Sequence, residues 1–358
     1  MSTSLTVVVK IGTSSLTDEQ GAIRTDAIKK LCAEVALARQ VGHQVVIVTS
    51  GAIGAGLPLL GLGGAQRPSD ARTLQAVSAV GQSQLMKTYS DALAQHSLVC
   101  GQVLLAPLDF VERKQYLQAR GTLQRLCELG VVPIVNENDA VADDEIRFGD
   151  NDRLAALVSH LVDADLLVLL TDTDGVLTSD PRRDPNASLI AEIVDLDREL
   201  EANVGGPGTA GGSGGMASKL AAARLAAWSG VKTVIAAAHR PEVLSDALAD
   251  RSVGTVVQPR PVSLPARKLW IAFAVGSKGK LRVDDGAVRA VTTKGASLLA
   301  PGIISVEGEF SANDAVEVCD SAGEVFAKGL VRCSANELRA KSAESLVIHV
   351  DDLVMVPR

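Results

Sequence analysis

The sequence has little of what metal-held or disulfide-held folds require. Its 358 residues include five cysteines and five histidines, with no C-x-x-C pair and no H-x-x-x-H cluster. An odd number of isolated cysteines predicts reduced thiols in a core rather than a disulfide framework or a zinc site. The isolated histidines likewise disfavour a metal hydrolase or a Ser/His catalytic group. The cysteines stand at irregular spacing: Cys32, Cys100, Cys127, Cys319 and Cys333.

Long apolar runs and an excess of basic charge are also missing. The longest apolar runs, such as residues 166–170, are far shorter than the roughly 20 residues of a membrane span. Residues 1–10 lack the basic segment and cleavage site of a secretory signal. The net charge is −7, which disfavours a chain-wide nucleic-acid surface. Length and a composition of 47% hydrophobic and 22% charged residues predict a soluble, cytoplasmic, two-domain protein.

A regular alternation of apolar and amphipathic segments fills the first 260 residues. Amphipathic segments with helical spacing separate the apolar runs, and the apolar runs are the length of buried strands. Strands that are apolar on both faces, alternating with helices, predict a mostly parallel sheet covered by helices. Ligands of such sheets bind at the carboxyl ends of the strands, so the residues after each strand are candidates for chemistry. The predicted strands are residues 5–9, 45–48, 99–105, 131–135, 166–170 and 233–236.

The character of the sequence changes near residue 260. Residues 257–265 contain three prolines, which indicate a stiff linker. Short alternating strands follow, separated by turns such as Asp285-Gly286, and they predict a small all-β module of about 80 residues. The predicted domains are therefore residues 1–260 and 278–358.

Two lysines lie beside segments suited to phosphate. Lys10 directly follows the first predicted strand and lies just before a glycine and three hydroxyl residues, a pattern that fits a phosphate or, alternatively, a surface turn. The glycine-rich segment 205–215 leads into a helix that contains Lys219, which favours a phosphate-binding loop at a helix N-terminus. Neither a dinucleotide fingerprint nor a Walker A motif is present, because the required strand and Gly-Lys-Ser/Thr run are absent.

Polar residues follow three further strands. Residues 136–139 and 149–152 form a cluster able to bind an ammonium group, although Asp150 or Asn151 could be only a helix cap. Ser50 and Gly51 let backbone donors approach an anion, or simply permit a tight turn. Thr171 and Asp172 belong to an ordinary loop or to one that contacts a nucleotide. Together these patterns predict phosphoryl transfer without the usual signatures.

Six segments, taken in order, resemble the glutamate 5-kinases of the amino acid kinase family, and the C-terminal module resembles a PUA domain. This resemblance covers almost the whole chain. It implies the amino acid kinase fold, a three-layer α/β sandwich with a mostly parallel central sheet, plus a small β-barrel-like PUA module. It also implies ATP-dependent phosphorylation of the side-chain carboxylate of L-glutamate with Mg²⁺, giving L-glutamyl 5-phosphate, the first step of proline biosynthesis. The segments are residues 7–14, 48–53, 80–83, 136–141, 149–152 and 214–219.

The same resemblance implies roles for individual residues. Lys10 and Lys219 would be catalytic and would contact the phosphates; no metal ligand is assigned. L-glutamate would be bound by Ser50, Gly51, Asp139, Asp150, Asn151 and Asp152. ATP would be bound by Lys10, Thr171, Asp172, Ser213, Gly214, Gly215, Met216, Ala217, Ser218 and Lys219. Further implications are feedback inhibition by L-proline, a homo-oligomer (dimer or tetramer) and cooperation with glutamyl phosphate reductase.

The chemistry of the residues agrees with this assignment. A γ-carboxylate has an ordinary pKa of about 4.3, so it is already an anion at pH 7 and needs no general base. Asp139 can pair with the ammonium group of a free amino acid, which an N-acetylated substrate lacks. The rivals within the family are N-acetylglutamate kinase, aspartokinase and uridylate kinase, and the Asp139/Asn151 cluster and the C-terminal β module disfavour each of them. An RNA-binding protein acting through the PUA module is the rival from another class. Acidic residues interleaved with basic ones, without an aromatic–basic stripe, disfavour it.

Overall fold

The structure is a computed structural model that describes residues 4–18, 22–62, 68–110, 112–141, 151–179, 184, 186–196, 215–261 and 264–356. The chain divides into two compact units, Met1–Ser263 and Leu264–Arg358. Asp150, Ser213 and Gly214, which the sequence assigns to binding sites, lie outside the described residues.

The first unit is built on a mostly parallel sheet. Every neighbouring pair of strands runs parallel except β7 and β8. The strand order over the described residues is β3-β4-β2-β1-β5-β7-β8-β6. All six predicted strands are confirmed, with their ends displaced by no more than two residues. The strands are β1 (Thr6–Ile11), β2 (Gln44–Val48), β3 (Cys100–Leu105), β4 (Val132–Glu137), β5 (Leu166–Thr171), β6 (Glu192–Ile193), β7 (Lys232–Ala237) and β8 (Thr255–Val257).

Helices cover both faces of this sheet. The described helices of the unit are α1 (Thr13–Leu16), α2 (Thr25–Gln40), α3 (Ala52–Leu59), α4 (Ala71–Ala94), α5 (Arg113–Glu128), α6 (Asn151–Leu161), α7 (Met216–Trp228) and α8 (Val243–Leu248). Val7 and Val9 of β1 share one core cluster with apolar residues of α2, α4 and α8. Successive strand residues point to opposite faces, so Lys10 points to the face where α6 packs on β1. The three-layer sandwich is confirmed.

Helices α3 and α4 approach each other closely at two glycines. A Cβ atom on Gly81 would lie 1.8 Å from the carbonyl oxygen of Ala52, and one on Gly56 would lie 2.1 Å from the carbonyl oxygen of Val77. Only hydrogen fits in either place, so both residues must be glycine for the helices to pack in this way. The contact positions the start of α3 and the residues just before it, including Gly51 with its left-handed φ of 92°.

The second unit has its own core and a mixed sheet of order β11-β9-β12-β13-β15, with a separate β10–β14 pair. The expectation of an all-β module is wrong. Asp284, which directly precedes the predicted Asp285-Gly286 turn, accepts a hydrogen bond from the Ala287 amide at 2.7 Å and caps a helix. The elements are α9 (Ala266–Leu269), β9 (Gly279–Val283), α10 (Asp285–Lys294), β10 (Leu298–Leu299), β11 (Ile303–Gly308), β12 (Ala315–Cys319), β13 (Val325–Leu330), α11 (Ala335–Arg339), β14 (Leu346–Ile348) and β15 (Leu353–Met355).

Two features of the composition have structural counterparts. All five cysteines are free thiols, as predicted, and burial raises the pKa of the Cys32 thiol to about 12. Over the described part of the chain, every helix is too short or too polar to span a lipid bilayer.

Candidate active site

Two buried lysines share one carboxylate at the carboxyl edge of the sheet. The Nζ atom of Lys10, near the end of β1, lies 2.5 Å from Oδ1 of Asp152 in the first turn of α6. The Nζ atom of Lys219, in the first turn of α7, lies 3.1 Å from Oδ2 of the same carboxylate. None of the three residues is more than 5% exposed. Two cations thus face one anion in a place where charges are costly to bury, which makes the site attractive to a further anion.

The N-terminus of α7 adds donors beside these lysines. Ser218 donates a hydrogen bond to the carbonyl oxygen of Gly215 at 2.7 Å, and its hydroxyl oxygen also lies 3.1 Å from Oδ2 of Asp152. The backbone N–H groups of Met216 and Ala217, in the first turn, have no acceptor within the helix. A helix N-terminus carries a partial positive charge, so it suits the same kind of ligand as the lysines.

Three buried amides link α4, β4 and α6 in what we call the amide relay (Gln82, Asn136 and Asn151). Asn151 donates through Nδ2 to the carbonyl oxygen of Thr49 at 2.5 Å and to Oδ1 of Asn136 at 2.7 Å. Asn136 donates through Nδ2 to Oε1 of Gln82 at 2.8 Å. Oδ1 of Asn136 also accepts the backbone N–H of Glu137 at 2.9 Å. The relay joins the end of β2 to the start of α6.

Thr49 is itself fixed from within the core. Its Oγ1 lies 2.9 Å from the hydroxyl oxygen of Tyr89, a fully buried residue of α4. Burial raises the pKa of Tyr89, and the hydrogen bond with Thr49 opposes that shift. Tyr89 is therefore a neutral hydroxyl at ordinary pH. It orders the segment that continues into half-buried Ser50 and Gly51.

Asp139 lies in a short 3₁₀ turn just after β4. Its Oδ2 accepts a hydrogen bond from the hydroxyl of Ser78 on α4 at 2.8 Å. Ser78 and Gln82 are four residues apart, so they lie on the same face of α4. One face of α4 therefore contacts Asp139 through Ser78 and Asn136 through Gln82.

Thr171 and Asp172 line a cavity of about 290 Å³ at the ends of β1 and β5. The Thr171 hydroxyl donates to Oδ1 of Asp172 at 3.0 Å. Ser14 and Ser15 line the same cavity, which α2 borders. The hydroxyl residues that follow Lys10 in the sequence therefore lie beside the end of β5.

Among the described residues that the sequence singled out, the structure brings Lys10, Asp152, Ser218 and Lys219 into contact. Asp139, Asn151 and the Thr171–Asp172 pair have the separate contacts given above. Asp152 was expected to shape the glutamate pocket, but its carboxylate contacts both lysines. Ser78, Gln82 and Tyr89 were given no role from the sequence. Polar residues on an otherwise buried helix face were the signal that could have found them. Over the described residues, no group of three or more His, Cys, Asp or Glu side chains is arranged to hold a metal ion.

Comparisons with known proteins agree with this architecture. A model described as "Amino acid kinase family" matches residues 5–237, and one described as "PUA domain" matches residues 279–351. The glutamate 5-kinase of Synechococcus elongatus is 47% identical over 337 residues, covering 94% of this chain and 91% of that protein. The glutamate 5-kinase of Nostoc punctiforme is 43% identical, covering 98% of this chain and 99% of that protein.

Solved structures share the fold at low sequence identity. A carbamate kinase from Giardia lamblia bound to AMP-PNP superimposes with a TM-score of 0.52 and 19% identity, covering 72% of this chain and 100% of that chain. A UMP kinase from Ureaplasma parvum superimposes with a TM-score of 0.50 and 15% identity, covering 72% of this chain and 99% of that chain. These likenesses establish the fold of the first unit.

Proposed function

Because this chain belongs to the amino acid kinase family and, within it, to the glutamate 5-kinases, we propose that it transfers the γ-phosphoryl group of ATP to the side-chain carboxylate of L-glutamate. The products are L-glutamyl 5-phosphate and ADP. The observation that carries the proposal is the pair of buried lysines, Lys10 and Lys219, joined through Asp152 at the carboxyl edge of a parallel sheet. Phosphoryl transfer depends on this kind of positioning and charge stabilisation.

The transfer needs no proton acceptor on the protein. An oxygen of the ionised γ-carboxylate attacks the γ-phosphorus, and the bond from that phosphorus to the β,γ-bridging oxygen breaks. The electron pair of that bond leaves with ADP. Because two anions must approach, Lys10 and Lys219 offset the repulsion and stabilise the charge on the transferring group. In this proposal Asp152 aligns the two lysines, in place of the substrate-binding role that the sequence suggested.

The substrate is bound beside the amide relay. Asp139 pairs with the ammonium group of L-glutamate, and Asn151 contacts the same end of the substrate. Ser50 and Gly51 lie next in sequence to Thr49, whose carbonyl oxygen binds Asn151 at 2.5 Å. We assign the ATP phosphates to the N-terminus of α7 and the nucleotide contacts to Thr171 and Asp172.

Magnesium enters as part of the MgATP substrate. Mg²⁺ in such sites is bound by substrate phosphates, water and one or two carboxylates. Among the described residues, the carboxylate nearest both lysines, Asp152, uses both oxygens toward them. The donor set therefore fits an ion that arrives with the nucleotide rather than a resident ion in a protein cage. Bound there, the ion neutralises phosphate charge.

The wider setting follows from the same family membership. We propose a cytoplasmic enzyme of proline biosynthesis that forms a dimer or tetramer and is inhibited by L-proline. A glutamyl phosphate reductase would consume its labile acyl phosphate. The PUA unit then supports or modulates catalysis rather than binding nucleic acid. Its ion pairs Lys278–Asp314 and Lys280–Glu317 disfavour nucleic-acid binding, because they neutralise basic side chains.

An acceptor panel tests the proposed function. ADP release is measured with MgATP and L-glutamate, N-acetyl-L-glutamate, L-aspartate or UMP. We expect turnover with L-glutamate alone and a loss of kcat of about 10²–10³-fold in Lys219→Met. Lys87→Met, at an exposed lysine of α4, is the matched control and keeps full activity. Turnover with another acceptor would keep the phosphate site and discard the assignment of Asp139 and Asn151.

A further inference from the structure

The backbone determines how two amides of the relay, Asn136 and Asn151, are turned. The N–H of Glu137 can only donate, so the Asn136 atom that it meets at 2.9 Å is the acceptor Oδ1. The carbonyl oxygen of Thr49 can only accept, so the Asn151 atom beside it is the donor Nδ2. These two backbone groups settle the orientation of both side chains, which hydrogen bonds between amides alone would leave ambiguous.

This orientation decides which atom Asn151 can offer to a ligand. Both N–H bonds of its Nδ2 are used, one by Thr49 and one by Asn136. The amide therefore presents Oδ1, which only accepts hydrogen bonds. An acceptor suits an ammonium group and repels a carboxylate. Asn151 is thus suited to the amino end of an amino acid.

Gln82 reinforces the arrangement that the two backbone groups set. Its Oε1 accepts from Nδ2 of Asn136, so a rotated Asn136 would place oxygen against oxygen at Gln82 and N–H against N–H at Asn151. Gln82 is only 7% exposed. Within the described residues its buried Nε2 has no hydrogen-bond partner, an unfavourable state that an apolar residue would avoid. The side chain is therefore not explained by packing or by its own hydrogen bonding alone.

We propose that Gln82 is a positioning residue that strengthens the preference for a free amino acid: through Asn136 it steadies Asn151, so that Oδ1 of Asn151 stays directed toward the substrate ammonium group. This inference rests on the proposed function, since it assigns the ammonium group of L-glutamate to that end of the pocket. Gln82 acts on the substrate only through the other two amides.

Glutarate, which is L-glutamate without its ammonium group, separates this role from a purely structural one. The variant Gln82→Met has nearly the same shape but lacks the acceptor oxygen, and Gln82→Glu retains an acceptor. Gln84→Met makes the same change at an exposed position of the same helix and is the control. The measurements are kcat and KM for both acceptors with saturating MgATP, and the urea midpoint of each variant.

In Gln82→Met we expect KM for L-glutamate to rise about three- to tenfold, because the hydrogen bond between the neutral amides of Gln82 and Asn136 is lost and Asn151 is held less firmly, with kcat within twofold. The preference for L-glutamate over glutarate, as a ratio of kcat/KM, falls by a similar factor. Gln82→Glu retains most of the preference, and Gln84→Met retains all of it. Should Gln82→Met not fold, Gln82→Asn, whose oxygen falls short of Asn136, gives the same loss of preference.

Equal losses with both acceptors, or a fall in kcat with KM unchanged, would overturn the inference and leave Gln82 a structural residue. That result would leave the proposed function standing, because the unsubstituted protein still phosphorylates L-glutamate. If the unsubstituted protein neither phosphorylates L-glutamate nor binds it by calorimetry, the proposed function and this inference both fail.

Discussion

The carboxylate of Asp152 lies 2.5 Å from the ammonium nitrogen of Lys10, and neither side chain is more than 3% exposed. The same carboxylate also meets Lys219 at 3.1 Å. A single acidic group therefore fixes the positions of two cations that come from distant parts of the chain.

Replacing Asp152 with asparagine should destabilise the protein strongly. The change leaves two buried ammonium groups without the charge between them, at a cost of about 3–5 kcal/mol in the free energy of unfolding. Urea denaturation measures it. Asp91→Asn breaks the exposed Lys87–Asp91 pair instead and should cost at most about 1 kcal/mol. Equal effects of the two substitutions would show that Asp152 does not bridge the lysines.

Asp139→Asn should raise KM for L-glutamate about 10- to 100-fold with a smaller effect on kcat, because a charge-assisted hydrogen bond to the substrate ammonium group is lost. Ser78→Ala removes only the hydrogen bond of 2.8 Å that orients Asp139, and we expect about a fivefold rise. Steady-state ADP release checks both. A KM unchanged in Asp139→Asn would place the ammonium group elsewhere.

Gly81→Ala should lower the free energy of unfolding by at least about 3 kcal/mol, the upper end of the usual cost of overpacking, because the new methyl group meets the backbone of α3. The displacement of α3 should also raise KM for L-glutamate, since Gly51 and Ser50 precede that helix. Gly121→Ala, in α5, is the matched control: a Cβ there meets no atom within 4 Å, and alanine favours a helix by about 0.5–1 kcal/mol. The midpoint of thermal unfolding should therefore fall in Gly81→Ala and rise in Gly121→Ala.

Mild acid should weaken the fold through His160 near the C-terminal end of α6. Burial lowers the pKa of this imidazole; Asp163 opposes the shift and Arg120 adds to it. As pH falls through about 6.5, the unfolded chain binds a proton that the folded chain does not yet bind. Stability is therefore lost as pH falls from about 6.5 toward the lowered pKa of the folded state.

Urea midpoints between pH 7.5 and 5 measure this effect. His160→Gln should show a smaller loss across that range than the unsubstituted protein. The exposed His96 provides the control His96→Gln, which should follow the unsubstituted protein. A His160→Gln curve parallel to that of the unsubstituted protein would assign the acid sensitivity to other groups.

The sheet could be predicted from the sequence because its signals are local. Runs such as residues 131–135 are apolar on both faces and cannot be exposed. Asp285-Gly286 was misread for a related reason: the pair is typical of a turn, but the preceding Asp284 is a helix cap, and only the chain beyond it shows which applies.

The candidate site was predictable only in part. Lys10 follows an apolar run typical of a strand, and Lys219 follows a glycine-rich segment, so both could be recognised from the sequence. The pairing of Asp152 with both of them depends on how three elements meet, which no local pattern encodes. Ser78 and Gln82 are spaced like core residues of α4, so their polarity was the one available clue to their contacts.

The grouping of Lys10, Asp152 and Lys219 also bears on synthesis at the ribosome. Lys10 is translated before Asp152, and Lys219 is translated last of the three. A nascent chain that stops short of α7 can pair β1, β2, β4 and β5, yet it lacks the second cation. Competence for phosphoryl transfer is thus acquired late in translation, after much of the sheet can already assemble.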